Sequence, residues 1–399
     1  MKLRLFGLPQ AVTVMAATHF VVDGFSNIYA PLLPILIPRL GLTLATAGLL
    51  QTCLQLSNSV SQLAFGALAD RWKPRALLIA GPLLSVTVLS LIGLANNVWT
   101  VAAVLIIGGL GGAAFHPPAA ALVHKAGGHR RGLAMSVHIT GGSMGFALGP
   151  LLFAPLVGWA GIEWTPVLMV PGLLLLASWL RHIPAVDTTP EPHAVRGFAG
   201  LRPYARPLTL LYLIVVLRTI TAVSFATFVP VLLTRRGVSV GTAGVMAAIY
   251  LAATSAGGFI GGAMADRWGA RRVIIASLIA AVPFLAVAPI LPDRYFLLVL
   301  SVGGFLLQST LPVNVTFGQT IAPISAATVS SLMMGFAWGT GGLMVSLVGL
   351  LADRAGIEQA LMLVAFAPLA GAVLALPLPD DRALRLRAAA ATTPLPPQP

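Results

Sequence analysis

One cysteine, Cys53, is all the chain has, which rules out an intrachain disulfide and any metal site built from several thiolates. Charge is almost as scarce. Only 9% of residues are Asp, Glu, Lys or Arg, against roughly 25% in a water-soluble domain, so too little polar surface exists to cover a globule in water. Among the charged residues acids are the scarcer, 11 against 24 Lys and Arg. A phosphate-cradling Gly-Lys-Ser/Thr loop is absent, which argues against ATP as an energy source. No nucleophile elbow stands beside the Ser and His residues, so no catalytic constellation is expected and the chain is not read as an enzyme.

What is abundant is apolar. Hydrophobic residues make up 57% of the chain and the mean hydropathy is +0.92. The apolar runs divide into about twelve spans, each near the ~20 residues that a bilayer crossing needs. The first run is too long for the core of a secretory leader and carries His19 and Asp23, so it is expected to remain as a membrane helix. Pro31 and Pro34 predict kinks within it.

The chain repeats itself. Gly66-Ala67-Leu68-Ala69-Asp70-Arg71-Trp72 returns as Gly262-Ala263-Met264-Ala265-Asp266-Arg267-Trp268, and Thr140-Gly141-Gly142 returns as Thr340-Gly341-Gly342. Both shifts are close to half the length, which predicts two similar halves. The expected fold is an all-α membrane protein of twelve transmembrane helices in two pseudo-symmetric six-helix bundles, residues 1–183 and 207–379. A Pro-rich cytoplasmic linker, 184–206, joins them, and an Arg-bearing disordered tail, 380–399, follows. Eighteen basic residues fall in the N-terminus, the even-numbered loops and the tail, against five in the odd-numbered loops. The positive-inside rule then places both termini and both Asp-Arg-Trp loops in the cytoplasm of a bacterial-type inner membrane. The net charge of +13 is therefore a topology signal rather than the footprint of a nucleic-acid binder.

Only two charges lie well inside spans, Asp23 and Arg218. Each costs roughly 3 kcal/mol at the bilayer centre on the lenient scale, so each is expected to face an aqueous cavity or an opposite charge. The repeat shift sets Arg218 beside the pseudo-symmetric position of Asp23, which predicts an acid on one cavity wall and a base on the other, both meeting water. The alternative is a static ion pair that only sets packing. His19, Asp23 and Asn27 share one helical face. Asp23 is the expected proton site, losing its proton in a wet cavity and keeping it when the cavity dries. His19 either tunes it, relays the proton or packs. Arg218 either stabilises the Asp23 carboxylate or binds an anionic substrate that displaces it. Asn27, His116, His138, Gln55 and Trp338 complete the expected substrate wall. Gln55 belongs to a polar stripe with Gln51, Asn58 and Gln62 that equally fits interhelical amide bonding. A metal site from His19, His116 and His138 is conceivable, but separate histidines are more often hydrogen-bonded packing residues, and neither metal nor cofactor is assigned. Asp70 and Asp266, with Arg71, Arg75, Arg267 and Arg271, are read as a gate that latches the cytoplasmic side, each acid meeting arginines or a facing helix N-terminus.

The repeated Gly-x-Leu-Ala-Asp-Arg type loop resembles the signature loop of the major facilitator superfamily. Further stretches resemble its fosmidomycin resistance protein family: His19-Phe20-x-x-Asp23, Gln55 through Gln62, Phe115-His116-Pro117, Gly132-Leu133-Ala134, Gly149-Pro150-Leu151-Leu152, Gly335-x-Ala337-x-Gly339-x-Gly341-Gly342 and Leu351-Ala352-Asp353. The match covers about residues 14 to 382. Gly145-x-x-x-Gly149-Pro150 also resembles part of an antiporter motif whose flanking glycines are missing here. The resemblance implies the major facilitator fold and proton-driven efflux of small toxic molecules, by alternating access. The expected partners are a small-molecule substrate, protons and the lipid bilayer, with the chain working as a monomer and without nucleic acid. An uptake symporter, a metal or metallophore exporter and a non-transporting receptor remain as alternatives.

Overall fold

The computed structural model describes residues 5–71, 74–180, 182–183, 198–322, 329 and 331–380, all in helices and short connections, with no strand among them. Eleven helical stretches are long and apolar enough to cross a bilayer: Gln10–Leu40, Pro74–Leu94, Val98–Arg130, Leu133–Ala160, Ile162–Trp179, Leu201–Arg235, Val240–Trp268, Ala270–Ile290, Asp293–Ile321, Leu332–Ala355 and Ile357–Ala375. The remaining crossing, second in the chain, is built from two helices, Leu44–Ser59 and Ser61–Arg71. Numbered in chain order these are spans 1 to 12, and each half contributes six.

Local chemistry explains the interruptions. Span 1 divides into Gln10–Ser26 and Tyr29–Leu40. Pro31 has no N–H to give the Asn27 carbonyl four residues back, and its ring crowds that turn, so the helix stops and restarts there. Span 2 breaks at Val60 although no proline is near, a discontinuity that the apolar pattern did not announce. Span 11 opens with a π-helical turn, Ser331–Phe336. Span 7 begins earlier than expected. Phe198–Tyr204 already forms a tight helical turn leading into Ala205–Arg235, so the end of the expected linker is structured. Residues 184–197 of that linker and 381–399 of the tail lie outside the described residues. Exposed Trp99, Trp159 and Trp164 ring the end remote from the Asp-Arg-Trp loops, where amphipathic rings suit the membrane–water boundary.

Span 1 is held against span 5 by small residues and one amide. Asn27 Nδ2 donates to the Phe146 carbonyl at 2.7 Å, and a Cβ on Gly145 would run into the Phe20 carbonyl. Backbones approach this closely only where a side chain is missing. Gly145→Val is expected to destabilise the chain by about 1–3 kcal/mol, the usual cost of overpacking. Thermal melting in detergent measures it, and an unchanged midpoint removes this contact as a determinant of the fold.

Candidate functional site

The halves meet at the end away from the Asp-Arg-Trp loops. Spans 2 and 11 lie backbone to backbone there: a Cβ on Gly48 would strike the Val345 carbonyl, and one on Gly349 the Leu44 carbonyl. Thr52 Oγ1 donates to the Gly342 carbonyl at 2.7 Å. Asp353, at the end of span 11, caps the start of span 2, its two carboxylate oxygens each accepting a backbone N–H, from Leu44 and Ala45, both at 2.8 Å. Gly158 of span 5 packs beside Gly241 of span 8. Nothing comparable joins the halves at the Asp-Arg-Trp end among the described residues. Asp266 and Arg267 are exposed and a Cβ on Gly262 would meet nothing within 4 Å. Arg271 donates to the Leu376 carbonyl of its own half, and Arg75 is exposed. The side chains of Asp70 and Arg71 lie outside the described residues. The halves are thus closed on one another at the Asp353 end, with no such latch at the Asp-Arg-Trp end among the described residues, and the latch on display is one that the repeated loops did not announce.

An N-capping carboxylate contributes about 1 kcal/mol, and the helix dipole adds a few tenths more at an exposed site. Asp353→Asn, which keeps the shape and loses the charge, is expected to shift the population several-fold toward opening at this end. Nitroxide labels at Leu42→Cys and Gln359→Cys, in a Cys53→Ser background, report it as a longer distance component. An unchanged distribution means that the glycine packing alone closes the end.

In the N-terminal half the side chains of His19, Asp23, His116 and His138 come together. His19 Nε2 stands 3.1 Å from Asp23 Oδ2, and His116 Nε2 is 3.5 Å from Asp23 Oδ1. The His19 ring centroid is 4.9 Å from that of His116 and 4.3 Å from that of His138. The spacing of four residues puts His19 and Asp23 on one face of span 1, while the Pro117-Pro118 turn of span 4 presents His116 and span 5 supplies His138. His19 Nδ1 lies 2.9 Å from the His138 main-chain carbonyl. A carbonyl only accepts, so Nδ1 carries a hydrogen. In a neutral ring Nε2 then offers a lone pair, and so does the carboxylate that it faces. A contact of 3.1 Å between two acceptors requires a positive charge between them. The side chains of His19, Asp23 and His116 are 13%, 21% and 17% exposed, so each is largely covered without being sealed off.

Arg218 does not face Asp23. No ion pair joins the two among the described residues, and Arg218 is fully buried rather than open to water, contrary to the expectation. Its guanidinium stays within its own half. It donates through Nη1 to Gln308 Oε1, and through Nη2 to Thr219 Oγ1 at 3.1 Å, and its carbon sits 5.3 Å from the centre of the Trp338 ring. Nε has no partner, and no carboxylate among the described residues pairs with it. Trp338 therefore joins Arg218, while Gln308 and Thr219 are neighbours that the sequence reading missed. Asn27 is committed to the Phe146 carbonyl and Gln55 packs against Gly342 of span 11, so both lie at helix contacts.

Comparison with known proteins follows the same lines. The profile of the Major Facilitator Superfamily matches residues 15–239 and 211–397. The fosmidomycin resistance protein of Escherichia coli (strain K12) is 28% identical over 384 residues, covering 94% of each chain. An MFS-type transporter of Bacillus subtilis (strain 168), YfnC, is 29% identical over 385 residues and 93% of each. Among solved structures, a bacterial homologue of the human lysosomal transporter Spinster, in an inward-facing and unoccupied conformation, superposes with a TM-score of 0.75 at 16% identity, over 96% of this chain and 98% of that one. With its two halves of six spans and its full-length likeness to a resistance transporter, the chain belongs to the Major Facilitator Superfamily of membrane transporters.

Proposed function

We propose that the protein exports a small, toxic, anionic compound across the inner membrane in exchange for protons, by alternating access. The observation that carries the reading is the 3.1 Å contact between His19 Nε2 and Asp23 Oδ2, which needs a shared proton to hold it. Asp23 and His19 form the proton seat, with His116 as the neighbour through which the proton comes and goes. Arg218 is the substrate anchor. A buried guanidinium without a counter-ion favours an anion strongly, because pairing relieves its desolvation. The two seats lie in different halves, so rocking the halves changes the access of both together. The basic loops favour a cytoplasmic position for the Asp-Arg-Trp end, and the resistance function in the names of two relatives, the fosmidomycin resistance protein and MdtG, supports export.

A toxicity panel tests the reading, in cells stripped of their own pumps, with phosphonate antibiotics, lipophilic cations and metal salts, with and without an uncoupler. Resistance to anionic members that the uncoupler abolishes is the expected result. Sensitisation instead of resistance indicates proton-driven uptake, and resistance that survives the uncoupler removes the proton as the driving ion.

A further inference from the structure

The cluster around Asp23 holds more nitrogen than a proton seat needs. Three imidazoles, on spans 1, 4 and 5, surround one carboxylate. The donor atoms of His19, Asp23 and His116 all lie within 4.8 Å of one another. Ligand atoms each about 2.1 Å from a shared ion stand about 3.0 Å apart at a right angle and about 3.4 Å apart at the tetrahedral angle. The two nitrogen–oxygen separations, 3.1 Å from His19 to Oδ2 and 3.5 Å from His116 to Oδ1, lie near these edges, one imidazole facing each carboxylate oxygen. The supporting shell matches as well. A metal-bound imidazole usually donates its other N–H to a carbonyl or carboxylate, which fixes the tautomer, and His19 Nδ1 donates in this way to the His138 carbonyl. A second, independent observation is His138 itself. Its side chain is buried at 3% exposure, its ring lies tilted against that of His19 with centroids 4.3 Å apart, and its Nδ1 has no hydrogen-bond partner. An orphaned buried nitrogen costs about 1–3 kcal/mol, and a cation beside it turns that nitrogen into a further donor.

We propose that His19, Asp23 and His116 bind a first-row divalent cation of the zinc class, with His138 as the reserve ligand. Two imidazoles and a carboxylate suit Zn²⁺, Co²⁺ or Ni²⁺ rather than Mg²⁺ or Ca²⁺, which require oxygen. The geometry alone carries the metal site. That the metal replaces the shared proton and arrests transport rests on the proposed function above.

Zinc titrated calorimetrically into tag-free full-length protein in detergent tests the site. One Zn²⁺ per chain is expected, bound at least tenfold more weakly by His116→Gln and by Asp23→Asn, a loss typical of a removed ligand. His124→Gln and His129→Gln, at exposed positions, should bind as the wild type does. Zn²⁺ should also raise the melting temperature of the wild type and not that of His116→Gln. Co²⁺ should give visible d–d absorption that His116→Gln lacks. Zinc binding that is absent from the wild type, or indifferent to both cluster variants, overturns the proposal. Loss of proton coupling in Asp23→Asn together with no zinc binding by the wild type leaves the proton seat standing and removes the metal. Zinc binding lost in His116→Gln while Asp23→Asn still couples does the reverse.

Discussion

Asp23→Asn is expected to reduce proton-driven flux to the level of vesicles without the protein while substrate exchange between the two faces continues. The asymmetry follows from hydrogen-bond chemistry. In the wild type the His19–Asp23 contact persists only while a proton is shared, and breaks or rearranges when the proton leaves. An asparagine amide can donate permanently to His19 Nε2. The variant therefore imitates the proton-loaded cluster with nothing to release. The halves remain free to rock, because the contacts that close the far end, Asp353 with Leu44 and Ala45 and Thr52 with Gly342, involve neither residue. Proteoliposomes with an imposed pH gradient measure the coupled flux, and counterflow of labelled substrate without a gradient measures exchange. Wild-type coupled flux in the variant removes Asp23 from the proton path. Loss of both readouts together means that the residue serves the conformational cycle instead.

The architecture was legible because the bilayer writes it in simple terms. A span must be apolar for its full length, loops carry the charge, and duplicated halves repeat their loops, so the Asp70 and Asp266 copies and the distribution of arginine were enough for twelve crossings in two sets. The cluster was half legible. The four-residue spacing of His19 and Asp23 declares a shared face, but nothing in a linear pattern says that spans 4 and 5 bring His116 and His138 to the same point. Arg218 was misplaced for a definite reason. The repeat fixes where its backbone stands, whereas a long guanidinium chooses among neighbours, and Gln308 and Trp338 belong to no repeated motif. The Asp353 latch did have a signal. Leu351-Ala352-Asp353-Arg354 is a further copy of Leu68-Ala69-Asp70-Arg71, set at the opposite end of the molecule. A motif read first as a mark of one membrane face is better read as a carboxylate at a helix end, able to cap a helix of the other half at either face. The break at Val60 left no trace, since neither proline nor a glycine pair stands there.

Arg218→Met should move stability and function in opposite directions. Replacing a buried charge by an apolar side chain of similar length is often neutral or stabilising by about 1–4 kcal/mol, because the desolvation cost disappears. The local geometry favours the upper part of that range. Arg218 is fully buried, its Nε is unpaired, and no carboxylate among the described residues balances it. A methionine thioether also packs well against the Trp338 ring. Gln308, which loses its partner, is only partly buried, so water can satisfy its carbonyl. A rise of a few degrees in the melting temperature is therefore expected, together with loss of transport for anionic compounds and retention of any activity toward neutral ones. The same partial exposure of Gln308 gives an anion its approach to the guanidinium. Gln308→Leu, which removes the acceptor and keeps the cation, should instead lower the melting temperature by orphaning the Nη1 donor, while leaving an anionic ligand able to restore it. If Arg218→Met melts below the wild type and handles anionic and neutral compounds alike, the guanidinium is a brace between spans 7, 10 and 11, and the anion must be bound elsewhere.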